Sequence, residues 1–150
     1  MQKLFHINFK IMFVSFMILD VFCVGLGMGV PIFCILFGFV VGWYLVKKLT
    51  LDTTQKPEIF RKVFNYGIMT SLFTFGLMML IWGKWFLRFF DPQYDFRNTG
   101  IPMILYDPKI SLIGWLVLMI FISPFLQLLT TMFSAYVMLL SWLAKKEQRV

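Results

Sequence analysis

One histidine and two cysteines are the whole supply of imidazole and thiol ligands in these 150 residues. A bis-histidine haem needs two imidazoles, and a structural zinc site needs about four His or Cys ligands, so His6, Cys23 and Cys34 build neither within one chain. No Cys-x-x-Cys spacing is present, which disfavours thiol–disulfide exchange. The phosphate-binding glycine loop with its Lys-Ser/Thr, the Gly-x-Ser-x-Gly elbow and His-Glu-x-x-His are missing as well. Acidic residues number seven, and Asp91, Asp95 and Asp107 of the one long polar loop lack the spacing of a calcium-binding EF-hand. A catalytic set needs a nucleophile, a base and an orienting group within reach of one another, and none can be assembled here. The expectation is a non-enzymatic protein with no metal and no cofactor.

Charge is scarce too. Charged residues are 14% of the chain and hydrophobic ones 60%, with a mean hydropathy of +0.83; a soluble domain is about a quarter charged. Three stretches hold no charge at all: Val21–Val46, Val63–Gly83 and Ile110–Ala144, of 26, 21 and 35 residues. Roughly 20 helical residues cross a hydrocarbon core about 30 Å thick. These runs are continuously apolar rather than alternating, so helices are expected and a β-barrel is not. The fold class this predicts is all-α: an integral membrane four-helix bundle made of two helical hairpins.

A chain of this length holds one transmembrane domain, residues 1–150, with helices at about Ile7–Gly27, Met28–Val46, Val63–Lys84 and Ser111–Leu143. Gly25, Gly27, Gly29 and Pro31 suit a tight turn between the first two. A polar segment, Lys47–Lys62, joins the second to the third, and an outer loop, residues 85–109, joins the third to the fourth. The fourth run exceeds a simple span, and Pro124 inside it predicts a kink. At the N-terminus, Lys3 and Lys10 precede an apolar run, but no small-residue cleavage site follows and Asp20 interrupts it, so a retained helix is expected.

The formal charge of +7 is unevenly spread. Lys3, Lys10, Lys47, Lys48, Lys56, Arg61, Lys62, Lys145, Lys146 and Arg149 fall on one side of these spans; Lys84, Arg88, Arg97 and Lys109 fall on the other. The positive-inside rule then places both termini in the cytoplasm. It also accounts for the basic balance without a nucleic-acid partner. Trp43, Tyr44 and Trp142 fall at the inner interface and Trp82, Trp85 and Trp115 at the outer one, as an aromatic belt requires. The location expected is a membrane crossed several times, a prokaryotic plasma membrane. The partners expected are the lipid bilayer and either another membrane protein or a second copy.

Asp20 is the one acidic residue inside a span. A carboxylate there costs several kcal/mol unless it is paired, protonated or wet. Two readings follow. It serves an ion, proton or cationic substrate; or it bonds structurally, to backbone N–H groups at the start of the second helix or to Lys84 or Arg88. Ser123, Gln127, Thr130 and Ser134 follow spacings of four, three and four, so they share one helix face. Gly67, Thr70, Ser71 and Thr74 occupy comparable depth on the third helix. The two sets line a polar cavity open to the cytoplasm, or they hydrogen-bond across a helix interface. The candidate ion or substrate site is therefore Asp20, Gln127, Thr130, Ser134, Thr70 and Thr74.

Gly38-Phe-Val-Val-Gly42 is a GxxxG pattern, and Cys34 extends its face by one turn. Cys23 and Gly27 give the first helix a matching small face. These five residues form a helix-packing seam, within the monomer or between two copies. Cys23 and Cys34 are equidistant from the turn, which permits a disulfide or shared metal, but small buried packing is the reading to expect. In the outer loop, Asp91-Pro92 and Asp107-Pro108 signal turns, and Phe86, Phe89, Phe90, Tyr94, Phe96 and Tyr106 make it amphipathic enough to dock a partner or cap the bundle.

The layout loosely resembles that of small four-helix multidrug transporters, which place an acidic residue in their first helix. Here Asp20 sits in the outer half of its span and the outer loop is large, so that activity is not carried over. The function expected is a helix-packing or accessory subunit; the alternative is a small transporter or channel protomer using Asp20.

Overall fold

A computed structural model describes residues 9–26, 31–52, 55–91, 93–98, 103 and 106–147. Among these residues every regular element is helical. Helix α1 spans Phe9–Leu26, α2 Ile32–Asp52 and α3 Lys56–Leu87. Two short 3₁₀ turns, Arg88–Phe90 and Phe96–Asn98, lead to α4, Pro108–Val117. A π turn at Leu118–Ile122 connects α4 to α5, Ser123–Glu147. Three helical segments are long and apolar enough to cross a membrane: Ile32–Leu51, Lys56–Phe90 and Pro108–Lys145. The tight turn expected around Gly27 and the expected N-terminal residues Lys3 and His6 lie outside the described residues.

Two helices run longer than the charge-free stretches imply. Helix α2 carries on to Asp52 rather than stopping at Val46, and α3 starts at Lys56 rather than Val63. Pro57 sits in the first turn of α3, where its missing N–H costs nothing, and Glu58 lies close to the helix N-terminus. Glu58 and Lys62 pair at 2.7 Å, one turn apart. Local helix chemistry therefore extends the helix through residues too polar for an apolar span.

The fourth run stays helical through Pro124. Proline cannot donate to the carbonyl four residues earlier. The chain absorbs this with the π turn just before it: the Ser123 N–H donates to the Leu118 carbonyl, five residues back. The Ser123 hydroxyl donates to the same carbonyl at 2.7 Å. Ser123 thus spends its hydroxyl on its own helix.

Helix α5 is the central column: α2 lies along it, and α3 packs on a second side. Two apolar clusters stand at either end of the bundle. One joins Leu45, Val46 and Leu49 of α2, Ile59, Val63 and Tyr66 of α3, and Ala135 and Leu139 of α5. The other joins Val24, Cys34 and Met78 to Leu112, Leu116 and Ile120, with Phe96 of the loop inserted among them. Phe96 packs at a tilt against Phe89 and edge-on to Tyr94, at 5.5 and 5.1 Å between centroids, so the described part of the loop between α3 and α4 caps the bundle.

The start of α4 is fixed by Asp107. Its carboxylate accepts from the backbone N–H groups of Lys109 at 2.8 Å and Ile110 at 3.4 Å, and its carbonyl takes the Ser111 N–H. Asp107→Ala is expected to cost about 1 kcal/mol, with Asp107→Asn close to the parent because it keeps the acceptor. Thermal unfolding in detergent checks this; equal midpoints for all three proteins would show that the cap contributes nothing.

Candidate functional site: a polar centre inside the bundle

Between the two apolar clusters the interior turns polar. Asp20 and Thr74 are 0% exposed, and Thr70, Gln127 and Thr131 are each 1% exposed. Helix α1 supplies Asp20, α3 supplies Thr70 and Thr74, and α5 supplies Gln127 and Thr131. Helix α2 faces them with Cys34 and Gly38.

Asp20 finds its partner on α3. The Thr74 hydroxyl donates to Asp20 Oδ2 at 2.8 Å and also lies 3.1 Å from the Thr70 carbonyl. One proton serves both acceptors, so the carboxylate competes with the helix backbone for it. Cys34 Sγ approaches the Asp20 carbonyl at 3.8 Å, tying α2 to the same point. The sequence-based pairing of Asp20 with Lys84 or Arg88 is corrected here: both lie more than two turns beyond Thr74 along α3, about 15 Å for Lys84. Asp20 Oδ1 and both amide atoms of Gln127 have no hydrogen-bond partner among the described residues.

Two hydroxyls of α5 reach across to α2. The Thr130 hydroxyl lies 2.8 Å from the Ile35 carbonyl of α2 and 2.9 Å from the Gln127 carbonyl of its own helix, so its one proton serves both, and Ser134 donates to the Phe39 carbonyl of α2 at 2.6 Å. Thr131 donates to the Gln127 carbonyl in its own helix at 2.8 Å. On the other side, Ser71 of α3 donates to the Pro124 carbonyl at 2.6 Å. That carbonyl and those of Ile35 and Phe39 thereby gain a second donor, and each bond fixes one helix against another. Thr70 folds back on its own helix, between the Tyr66 and Gly67 carbonyls.

Close approach explains why these short side chains reach. A Cβ added at Gly38 would fall 2.6 Å from Thr130 Oγ1, 2.7 Å from the Gln127 carbonyl oxygen and 2.9 Å from Thr131 Oγ1. At Gly42 it would land on the Thr131 carbonyl and 3.1 Å from the Ala135 nitrogen. The GxxxG face of α2 is thus turned inward onto α5. Cys34 continues that face and is buried, while Cys23 is half-buried; both thiols are free. Gly27 lies outside the described residues.

The sequence-derived residues divide into two groups. Asp20, Thr74 and Cys34 meet at one point, with Thr70 and Gln127 buried on the adjoining turns. Thr130, Ser134, Gly38 and Gly42 belong to the α2–α5 seam. Sequence reasoning overlooked Thr131, which touches the space beside Gly38, Gly42 and Gly67. It stands four residues after Gln127 and four before Ala135, so the same spacing rule that gathered the others was enough to find it. Known protein families, curated proteins and solved structures contain no match to this chain.

Proposed function

We propose that this chain is a multi-pass integral membrane protein with both termini in the cytoplasm, acting as a non-enzymatic helix-packing or accessory subunit. The membrane reading is supported by an inverted distribution of polarity. Leu80, Leu51, Ile18 and Leu36 are 81, 69, 65 and 62% exposed, while Asp20 and Thr74 are 0% exposed. Water penalises such a surface, whereas lipid accepts it. The single observation that carries the subunit reading is the α2–α5 seam, where interhelical hydroxyl–carbonyl bonds and inward glycines commit the small and polar residues to holding one rigid arrangement. A rigid bundle whose outer faces are predominantly apolar suits lateral association with another membrane protein.

A specific observation favours a second reading. Asp20 Oδ1 and the Gln127 amide are buried without partners among the described residues, and an ionisable group within a span is a functional candidate by default. On that reading the protein is a small transporter or channel protomer, with Asp20 binding a cation.

Native mass spectrometry of the full chain released in mild detergent tests the first reading. The expected spectrum shows the chain bound to a different membrane protein in fixed stoichiometry. Monomers alone overturn the accessory role, and a homo-oligomer with cation flux in liposomes favours the protomer.

A further inference from the structure

We infer that the end of α3 carries a binding site for an amine-bearing glycerophospholipid, of the phosphatidylethanolamine class. The inference rests on the membrane reading above. Lys84, Trp85, Leu87, Arg88 and Asp91 line a pocket of about 510 Å³. Lys84 and Arg88 stand one turn apart, so both cations face the same volume. Arg88 is held in place by the ring of Tyr94, 5.1 Å from its Cζ, which leaves its N–H groups available to donate.

The pocket also contains a carboxylate, and this decides the chemistry. Asp91 Oδ1 accepts from the Gln93 N–H at 3.0 Å, and the Asp91 carbonyl takes the Tyr94 N–H at 3.3 Å. The turn therefore fixes the carboxylate beside the two cations while Oδ2 retains acceptor capacity. A purely anionic headgroup would meet this carboxylate at a cost. A headgroup carrying both a phosphate and a primary ammonium matches all three charges: phosphate to Lys84 and Arg88, ammonium to Asp91.

The acyl end has a place as well. A second groove, about 530 Å³, is lined by Met79, Gly83, Phe86, Phe89, Ile113 and Val117, among others. Gly83 of this groove and Leu87 of the charged pocket stand one turn apart on α3, so the groove and the pocket border each other along that edge of the helix. Nothing lies within 4 Å of the Cβ position of Gly83, so the groove floor is open. Trp82 and Trp85, on the same turn, are the residue type that sits at headgroup level.

The test is lipid retention by the full chain, released from vesicles of phosphatidylethanolamine, phosphatidylglycerol and phosphatidylcholine in equal parts and analysed by native mass spectrometry. The expected result is phosphatidylethanolamine enriched about tenfold over the other two, the scale of one charge-assisted hydrogen bond. Lys84→Ala, which leaves the Arg88–Tyr94 contact intact, is expected to reduce retention of every lipid. Asp91→Asn is expected to keep retention and switch the preference to phosphatidylglycerol. Retention in bulk proportion, or enrichment that Lys84→Ala and Asp91→Asn leave unchanged, overturns the site. Failure of the membrane reading looks different: the chain would not enter vesicles at all.

Discussion

Gly42→Ala is expected to be the most damaging single-methyl change in this protein, with a loss of about 3 kcal/mol or more, at the upper end for overpacking. The reason is what the methyl would meet. The added Cβ falls on the Thr131 carbonyl and within 3.1 Å of the Ala135 nitrogen. Both are backbone atoms of a helix, so no rotamer change relieves the overlap and α2 must move away from α5. That movement strains the Thr130–Ile35 and Ser134–Phe39 bonds, which need the helices close. Gly76→Ala is the control: its Cβ position has nothing within 4 Å, and better helix propensity is expected to leave stability equal or higher by up to about 1 kcal/mol. In a Cys23→Ala background, which removes the half-buried second thiol, Cys34, 0% exposed, supplies the readout, because a thiol-reactive dye labels it only on unfolding. A Gly42→Ala protein that melts with the parent, yet changes oligomeric state, would move the glycine seam from inside the monomer to a dimer interface.

The helices themselves were legible because lack of charge over a long run has few causes: the second and third charge-free stretches are helical throughout, and the first is shared between the end of α1 and the start of α2, with Pro31 in a turn. The GxxxG pattern marked the α2 surface that α5 occupies. What the pattern could not specify was the partner helix, since Cys23 and Gly27 of α1 offered an equally small face. Helix ends were harder: α3 begins at Lys56 because of Pro57, Glu58 and the Glu58–Lys62 pair, which are local signals independent of hydropathy. The π turn escaped because proline announces a missing hydrogen bond without stating how the helix will absorb it. The polar centre was half legible. Spacing put Gln127, Thr130 and Ser134 on one face, but that face is wide enough to touch two neighbours, and Thr130 and Ser134 turn to α2 while Thr74 of α3 turns to Asp20. Depth along α3 excluded Lys84 as the partner of Asp20, and depth becomes known only once the helices are docked.

Asp20→Ala is expected to destabilise the bundle by about 2–3 kcal/mol, from the space left by the carboxyl group and the loss of the acceptor that Thr74 reaches at 2.8 Å. The loss is bounded, because the Thr74 hydroxyl retains the Thr70 carbonyl at 3.1 Å. Asp20→Asn fills the same volume and keeps an oxygen for Thr74, so most of that stability is expected to return. This pair of variants separates the two functional readings, which the alanine variant alone would not. A structural Asp20 predicts that Asn restores melting temperature, assembly and any flux through liposomes together. A cation-binding Asp20 predicts that Asn restores melting temperature but leaves flux at the alanine level, because only a carboxylate carries the charge that a cation needs in a site closed to water. Should Asp20→Asn melt as low as Asp20→Ala, the Thr74 bond would not be what holds α1 to α3, and the orphaned Oδ1 would become the atom to explain.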